Sequence, residues 1–211
     1  MLQNRITIVS GHFGSGKTNI AVDLALKKSA AGHRVRAIDL DTVNPYFRLA
    51  DSVSKLESER ITCMIPQYAN TNVDIPSLPD GYDDIFFTSD DCIIDVGGDA
   101  EGAVVLAADA ERLCNIGYDM LYVVNFMRPM TRDADSALEM LKHIERVSRL
   151  KFTHIINNTN LGAETDEALV TSCIPEAKRL SQMAKLPLEA TTAFFAGDGI
   201  TRITDSTRRL F

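Results

Sequence analysis

Hydrophobic residues along the chain follow two alternating patterns. The first is a short run of apolar and β-branched residues, which is typical of a strand buried in a sheet. Such runs predict strands at 5–10, 34–39, 91–95, 120–125 and 152–156, and further short strands at 61–66 and 188–194. In the second pattern, apolar residues recur every three or four positions, which predicts helices. These segments are 19–31, 103–114, 131–149, 164–185 (broken or restarted at Pro175) and 199–211.

Strands that alternate with helices predict one fold class. Each strand–helix–strand unit is expected to form a right-handed crossover between parallel strands. We therefore predict an α/β domain of three layers, with a mostly parallel central sheet and helices on both faces. At 211 residues the chain is expected to form a single domain, 1–211. The polar segment 67–90, with Pro76, Pro79 and Gly81, is predicted to be an insertion or a flap.

Polar segments follow five of the predicted strands. In open parallel sheets, ligands bind at the carboxyl ends of the strands. The segments that begin there are 11–18, 39–48, 95–99, 125–128 and 157–160. Because they are expected to meet at one edge of the sheet, this edge is the predicted functional site.

Residues 11–18 read Gly-His-Phe-Gly-Ser-Gly-Lys-Thr and match the phosphate-binding pattern G-x-x-x-x-G-K-[ST], between a predicted strand and a predicted helix. The glycines let the backbone aim N–H groups at phosphate oxygens, and the helix adds its positive end. Lys17 is expected to reach the β- and γ-phosphates, and Thr18 to bind Mg²⁺. The predicted nucleotide-binding residues here are Gly11, Gly14, Ser15, Gly16, Lys17, Thr18 and Asn19. The alternative is a glycine turn that leads into a helix without a ligand.

Asp95 is the candidate outer anchor for Mg²⁺. It ends the apolar strand 91–95, where a carboxylate can support the metal of a phosphate site. Gly97 and Gly98 follow, and without side chains they let the backbone approach the γ-phosphate and act as a switch. Gly98 is therefore counted with the nucleotide-binding residues. The alternative role of Asp95 is to cap a helix at the strand end.

Asp39 and Asp41 close the second predicted strand. Side chains two positions apart in a strand point to the same side, so the two carboxylates are expected to lie together. Asp39 is predicted to bind a water ligand of the metal and Asp41 to orient the attacking water, with Lys17 and Asp41 as the catalytic pair. The alternative is a solvated turn. Arg48 is a further candidate for contacting phosphate, in its own subunit or in a partner.

Asn157 and Asn158 follow the strand after which a base is usually recognised. An amide side chain can both donate to and accept from an adenine edge. Guanine recognition would require an aspartate three residues after Asn157, and that position holds Asn160. This pattern favours ATP over GTP, and the alternative is an asparagine-rich turn with no ligand.

Composition narrows the function classes. The net charge of −7 makes a general affinity for nucleic acid or anionic membranes unexpected. No apolar run approaches the length of a membrane span, and the first strand begins too early for a signal peptide, so a cytoplasmic protein is expected. The four cysteines show no C-x-x-C spacing and are predicted to be reduced thiols, and the four histidines show no metal-ligand spacing.

Taken together, the loop 11–18, Asp39-Leu40-Asp41, Asp95-Val96-Gly97-Gly98 and Asn157 resemble the MinD/ParA group of P-loop ATPases. This group includes the nucleotide-binding domains of cobyrinate amidating enzymes and of iron–sulfur carrier ATPases. The resemblance spans about residues 4–195. It implies a Rossmann-like P-loop NTPase domain that forms a homodimer around two ATP molecules. It also implies that Lys17 and Thr18 bind phosphate and Mg²⁺, that Asp41 polarises water, that Asp95 supports Mg²⁺, and that Asn157 or Asn158 meets adenine.

The chain departs from this group at one position of the loop. The group carries a second lysine directly after the first glycine, which reaches the phosphates of the partner subunit, and here that residue is His12. The C-x-x-C of the iron–sulfur carriers is absent. The predicted terminal helix has only a faint membrane-binding pattern, so we expect it to pack on the core.

Three functions are consistent with these features. The leading hypothesis is a slow, Mg²⁺-dependent ATPase that acts as a switch through dimerisation or a protein partner. The second is an ATP-dependent enzyme that activates a small-molecule acid, with an acceptor pocket lined by 67–90 and by Phe126, Arg128 and Arg132. The third is a nucleotide-bound adaptor without catalysis, which the missing loop lysine makes credible.

Overall fold

A computed structural model describes residues 2–41, 49–66, 78–98 and 100–204. Its strands are β1 (Ile6–Ser10), β2 (Val35–Leu40), β3 (Thr62–Met64), β4 (Asp91–Val96), β5 (Asp119–Val124), β6 (His154–Asn157), β7 (Leu188–Ala193) and β8 (Thr201–Arg202). Its α-helices are α1 (Lys17–Ala30), α2 (Val53–Ser58), α3 (Ala100–Ala103), α4 (Ala110–Ile116), α5 (Ala134–Ser148), α6 (Glu167–Ser172) and α7 (Ile174–Ala184). Short 3₁₀ turns occupy Leu49–Ser52, Tyr82–Phe86, Val104–Ala108, Pro129–Thr131 and Gly162–Glu164.

The eight strands form one sheet in the order β3-β2-β4-β1-β5-β6-β7-β8, and every neighbouring pair is parallel. The predicted α/β fold with a parallel central sheet is therefore confirmed. The register places Asp39 opposite Asp95 and Val124 opposite Asn157. Because all strands run the same way, the segments that follow β1, β2, β4, β5 and β6 meet at one edge.

The sheet separates two apolar layers. Neighbouring strand residues point to opposite faces, so Ile94 and Tyr122 pack in one layer and Ile93 and Val123 in the other. Helices α5 and α7 cover the first layer, which contains Leu141 and Leu180, and α1 covers the second, which contains Ala21 and Ala25. Strands buried on both faces explain the continuous apolar runs in the sequence.

Two predicted helices differ from the structure. The segment 103–114 is not one helix: α3 ends at Ala103, a 3₁₀ turn covers Val104–Ala108, and α4 starts at Ala110. The helix predicted from 199 is wrong over 199–204, because Thr201–Arg202 forms β8 beside β7. The Ile203 N–H donates to the Ala193 carbonyl and the Ile203 side chain is buried, so pairing with β7 replaces helix formation. The rest of that helix, 205–211, lies outside the described residues, as do Arg48 and 67–77 of the predicted flap.

The described part of the predicted flap packs on the domain. Tyr82 and Ile85 are buried in the 3₁₀ turn, and the Arg112 guanidinium lies 3.5 Å from the centre of the Phe86 ring. Helix α7 starts at Ile174, with Pro175 in its first turn, so the predicted restart at this proline is confirmed. Within the described ranges, no helix is long and apolar enough to cross a membrane.

Candidate functional site

The phosphate loop connects β1 to α1, and its conformation depends on glycine. Gly16, which directly precedes α1, has a φ of 84°, in the left-handed region that side chains disfavour. A Cβ at this position would also overlap the Asn158 amide nitrogen. The first turn of α1 contains no acidic residue, so no charge on the helix itself opposes the positive end of its dipole at the loop. The loop therefore has the shape and polarity of an anion site.

Lys17, Thr18 and Asn19 are all buried at the start of α1. The Thr18 hydroxyl donates to Asp95 Oδ2 at 2.7 Å. A Cβ on Gly98 would lie 2.8 Å from Lys17 Nζ, so the lysine and the chain after β4 are in direct contact. The structure thus brings together the predicted loop residues and the predicted switch glycine.

Three carboxylates converge at the ends of β2 and β4. Asp39, Asp41 and Asp95 are each at most 6% exposed, and the Asp41 N–H donates to Asp39 Oδ1 at 2.9 Å. A Cβ on Gly97 would lie 3.2 Å from Asp41 Oδ1, so Asp41 also meets the chain after β4. The expected clustering of Asp39 and Asp41 on one side therefore places both beside Asp95.

Burial raises the pKa of Asp95 to about 8, and the neighbouring Asp39 charge adds to this effect, while Lys17 and Thr18 oppose it. Asp95 Oδ1 is buried and accepts no hydrogen bond from any described residue. A buried carboxylate oxygen beside a threonine hydroxyl is a fitting ligand for a hard cation such as Mg²⁺. No group of three or more His, Cys, Asp or Glu in metal-binding geometry occurs among the described residues. Mg²⁺ also fits a site with fewer protein ligands, since it keeps several waters and binds substrate phosphates.

Asn157, the last residue of β6, and Asn158, which follows it, both form side-chain hydrogen bonds within the protein. Asn157 is fully buried: its Oδ1 accepts from the Thr159 hydroxyl at 2.7 Å and its Nδ2 donates to Thr191 at 3.4 Å. Asn158 Nδ2 donates to the Ser15 carbonyl, and its Oδ1 accepts from Thr192, both at 2.8 Å. Contact of either amide with a base would require it to exchange a partner. Asn158 supports the phosphate loop, a role that the sequence analysis did not assign.

A cleft of about 210 Å³ opens next to Asn158. Its lining comes from the loops after β6 and β7 and consists of Asn158, Asn160, Gly162, Ala163, Thr165, Ala193, Phe194 and Phe195. Phe194 and Phe195 were not predicted as site residues. The signal for them was the predicted strand 188–194, whose carboxyl end belongs to the same edge of the sheet as the phosphate loop.

Asn125 and Arg128, after β5, also contact the phosphate loop. Asn125 Nδ2 and Arg128 Nε donate to the Gly14 carbonyl at 3.2 and 3.0 Å. The segment 125–128 was predicted to reach this edge of the sheet, with Arg128 in an acceptor pocket rather than on the loop. His12 lies within the loop, and its carbonyl accepts from the Ser15 N–H at 3.1 Å.

A parallel sheet with a glycine loop between β1 and α1, a buried lysine and a threonine bonded to a strand-end aspartate defines a P-loop NTPase domain. Comparison with protein families agrees with this class. The CobQ/CobB/MinD/ParA nucleotide binding domain matches residues 6–191, and the chain belongs to this family. The predicted membership of the MinD/ParA group is thereby confirmed.

Solved structures of nucleotide-binding proteins share the fold. The signal recognition particle 54 kDa protein from Aeropyrum pernix K1, in complex with GDP, aligns with a TM-score of 0.57 at 16% identity, over 93% of this chain and 41% of its own. FtsY from Thermotoga maritima has a TM-score of 0.57 at 18% identity, over 89% and 61%. A nucleotide-binding protein from Archaeoglobus fulgidus, in complex with ADP, has a TM-score of 0.52 at 11% identity, over 88% and 79%.

These likenesses establish the fold of a nucleotide-binding domain. The chain spans 61% of the length of the FtsY structure from Mycoplasma mycoides that it also matches. No curated protein sequence matches the chain.

Proposed function

We propose that this protein is a Mg²⁺-dependent ATPase that acts as a nucleotide-dependent switch. The observation that carries the proposal is the contact of Thr18 with Asp95 at the end of the phosphate loop, next to the buried Asp39 and Asp41. Phosphoryl transfer requires positioned cations and a positioned water, and this group of side chains offers both functions.

Each side chain has a distinct role in this proposal. Lys17 and the loop N–H groups bind the β- and γ-phosphates. Thr18 and Asp95 would hold Mg²⁺, and Asp39 would accept a hydrogen bond from a water bound to it. The ion supplies positive charge at the phosphate oxygens. Asp41 orients the attacking water and accepts its proton.

We assign the base to the cleft of about 210 Å³ beside Asn158. Phe194 and Phe195 supply apolar surface for a planar ring, and the amide of Asn160 supplies a polar contact, while the Asn158 amide holds Ser15 and Thr192. Guanine presents two neighbouring donors that a carboxylate accepts well, and the described residues that line this cleft include no carboxylate. The lining therefore supports ATP as the nucleotide.

Exposed apolar side chains around the nucleotide edge support a homodimer or a protein partner. Phe13 of the loop is 53% exposed, Val104 after α3 is 53% exposed and Met130 after β5 is 56% exposed. All three belong to segments that follow the carboxyl ends of strands. Gly98 packs against the backbone of Phe13. A γ-phosphate bound beside Gly98 would therefore act on this surface and alter association. We propose that the protein acts in the cytoplasm, without nucleic acid or membrane as a partner.

Calorimetry with Mg²⁺ and a non-hydrolysable ATP analogue tests binding. Lys17→Ala is expected to weaken binding by about 100-fold or more, since it removes a buried phosphate ligand. Lys27→Ala is the matched control, because Lys27 lies on the same helix, is 52% exposed and pairs with Asp23. Failure of the wild-type protein to bind, or equal binding by Lys17→Ala, would show that the proposal is wrong.

Single-turnover phosphate release separates a switch from a passive adaptor. Asp41→Asn is expected to keep nucleotide affinity within about threefold and to lose hydrolysis by about 100-fold, since general base catalysis contributes that order. Binding without phosphate release by the wild-type protein would favour the adaptor. Release that rises steeply with one small carboxylic acid would favour the small-molecule enzyme.

A further inference from the structure

Arg128 lies against the phosphate loop although it comes from the segment after β5. Its Nε donates to the Gly14 carbonyl at 3.0 Å, beside the bond from Asn125. A Cβ on Gly14 would lie 2.8 Å from Arg128 Nε and 3.4 Å from its Nη2. The guanidinium plane is therefore held next to Gly14, with one donor used and its two terminal nitrogens directed elsewhere.

The terminal nitrogens of Arg128 donate to no residue within 2–41, 49–66, 78–98 or 100–204. Arg36, Arg112 and Arg179, by contrast, each pair with a carboxylate within 2.8 Å. In a chain with a net charge of −7, a guanidinium that avoids carboxylates and lies on a phosphate loop is suited to an anionic ligand.

The position of Arg128 points to the terminal phosphate. Lys17 Nζ and the Phe13 backbone both lie 2.8 Å from the place where a Gly98 Cβ would be, so these groups surround one point of the loop. Gly14 follows Phe13 directly. Arg128 thus holds the residue next to Phe13, whose backbone, with Lys17 and Gly98, surrounds the expected position of the γ-phosphate.

We propose that Arg128 is a further nucleotide-binding residue with two functions. Its Nε holds the Gly14 peptide, and its terminal nitrogens bind the γ-phosphate of a triphosphate. This inference rests on the proposed function of the same site. His12 stands where the MinD/ParA group has a second loop lysine. Arg128 would supply a cation to the loop from within the same chain.

The test compares two ligands rather than one. Arg128→Gln is expected to weaken a non-hydrolysable ATP analogue by about 10-fold or more and ADP by less than about threefold, because ADP lacks the phosphate that the guanidinium binds. Arg179→Gln is the matched control: Arg179 lies on α7, is 49% exposed and pairs with Asp135 at 2.6 Å. This control is expected to leave both affinities unchanged. Calorimetry in Mg²⁺ measures each constant.

The outcomes separate this inference from the proposed function. Equal weakening of both nucleotides would mean that Arg128 only supports the loop, and no weakening would mean that it does neither; each result overturns the inference. If the wild-type protein binds no nucleotide, the proposed function itself fails.

Should Arg128→Gln not fold, Arg128→Lys gives the second measurement. A lysine keeps the charge but lacks the planar fork whose separate nitrogens reach Gly14 and the phosphate, so the ATP analogue is again expected to lose at least about threefold more than ADP. Equal losses in Arg128→Lys would overturn the inference as well.

Discussion

Thr18 donates its hydroxyl hydrogen to Asp95 at 2.7 Å, across 77 positions of the sequence. The bond joins the first turn of α1, which follows β1, to the end of β4, and the register places β1 directly beside β4. It uses Oδ2 of Asp95, while the buried Oδ1 accepts from no described residue. The contact therefore fixes the carboxylate next to the phosphate loop and keeps one oxygen for a ligand.

Replacing Asp95 with Asn is expected to stabilise the nucleotide-free protein and to abolish Mg²⁺-dependent nucleotide binding. Asparagine keeps an oxygen that accepts from Thr18 and removes the buried charge beside Asp39. Burial, followed by Asp39, raises the pKa of Asp95 to about 8, against about 3.9 in an unfolded chain. Its contribution to stability is therefore complete below about pH 4 and is lost as the pH rises through about 8.

Thermal melts without Mg²⁺ or nucleotide, from about pH 5 to about pH 8.5, measure this effect. The Tm advantage of Asp95→Asn over the wild type is expected to grow with pH, by about 2–4 °C for each kcal/mol. Asp133→Asn is the control: hydrogen bonds from Ser136 lower the pKa of Asp133, so its charge does not change over this pH range and its Tm difference is expected to stay constant. A Tm difference for Asp95→Asn that does not change with pH would contradict the prediction.

Gly98→Ala is expected to weaken nucleotide binding by about 10-fold or more. The added methyl group would lie 2.8 Å from Lys17 Nζ and from the Phe13 Cα atom, so either the lysine or the loop must move. Gly32→Ala is the comparison: nothing lies within 4 Å of its Cβ, but its φ of 89° disfavours a side chain. That variant is expected to lose about 1–2 kcal/mol of stability and to keep its affinity. Calorimetry and chemical denaturation separate the two effects, and unchanged affinity in Gly98→Ala would remove Gly98 from the site.

Thr192→Val tests whether β7 supports the phosphate loop. The Thr192 hydroxyl donates to Asn158 Oδ1, and Asn158 Nδ2 donates to the Ser15 carbonyl. Losing the hydroxyl at nearly constant volume is expected to weaken ATP and ADP alike by about 2–10-fold, since one neutral hydrogen bond contributes about 0.5–1.5 kcal/mol. Thr191→Val is the control, because Thr191 bonds to Asn157 rather than to Asn158. Identical affinities in both variants would mean that this relay does not position the loop.

The parallel sheet and the loop residues could be predicted from the sequence because each rests on a local pattern. The run 91–95 is mostly apolar because β4 is buried on both faces. Asp95 ends this run and therefore lies at the carboxyl edge of the sheet, where ligands bind. The role of Arg128 could not be predicted, because its contact with Gly14 spans 114 positions and leaves no periodic signal. The helix predicted at 199–211 shows the same limit, since the pairing of Thr201 with Thr192 depends on a neighbouring strand.

Base preference is open to a direct test at Asn160. Its Nδ2 donates to the Asn158 carbonyl at 2.8 Å, and it lines the cleft next to Phe194 and Phe195. The wild type is expected to bind ATP more tightly than GTP. Asn160→Asp places a carboxylate where guanine presents two donors, so the ratio of GTP to ATP affinity is expected to rise by about 10-fold or more. Competition of GTP and ATP against a fluorescent nucleotide measures both constants.

Asn160→Ala, which removes the amide without adding an acceptor, should weaken both nucleotides to a similar extent. A wild-type protein that prefers GTP would contradict the assignment of ATP, and an unchanged ratio in Asn160→Asp would place the base away from this residue.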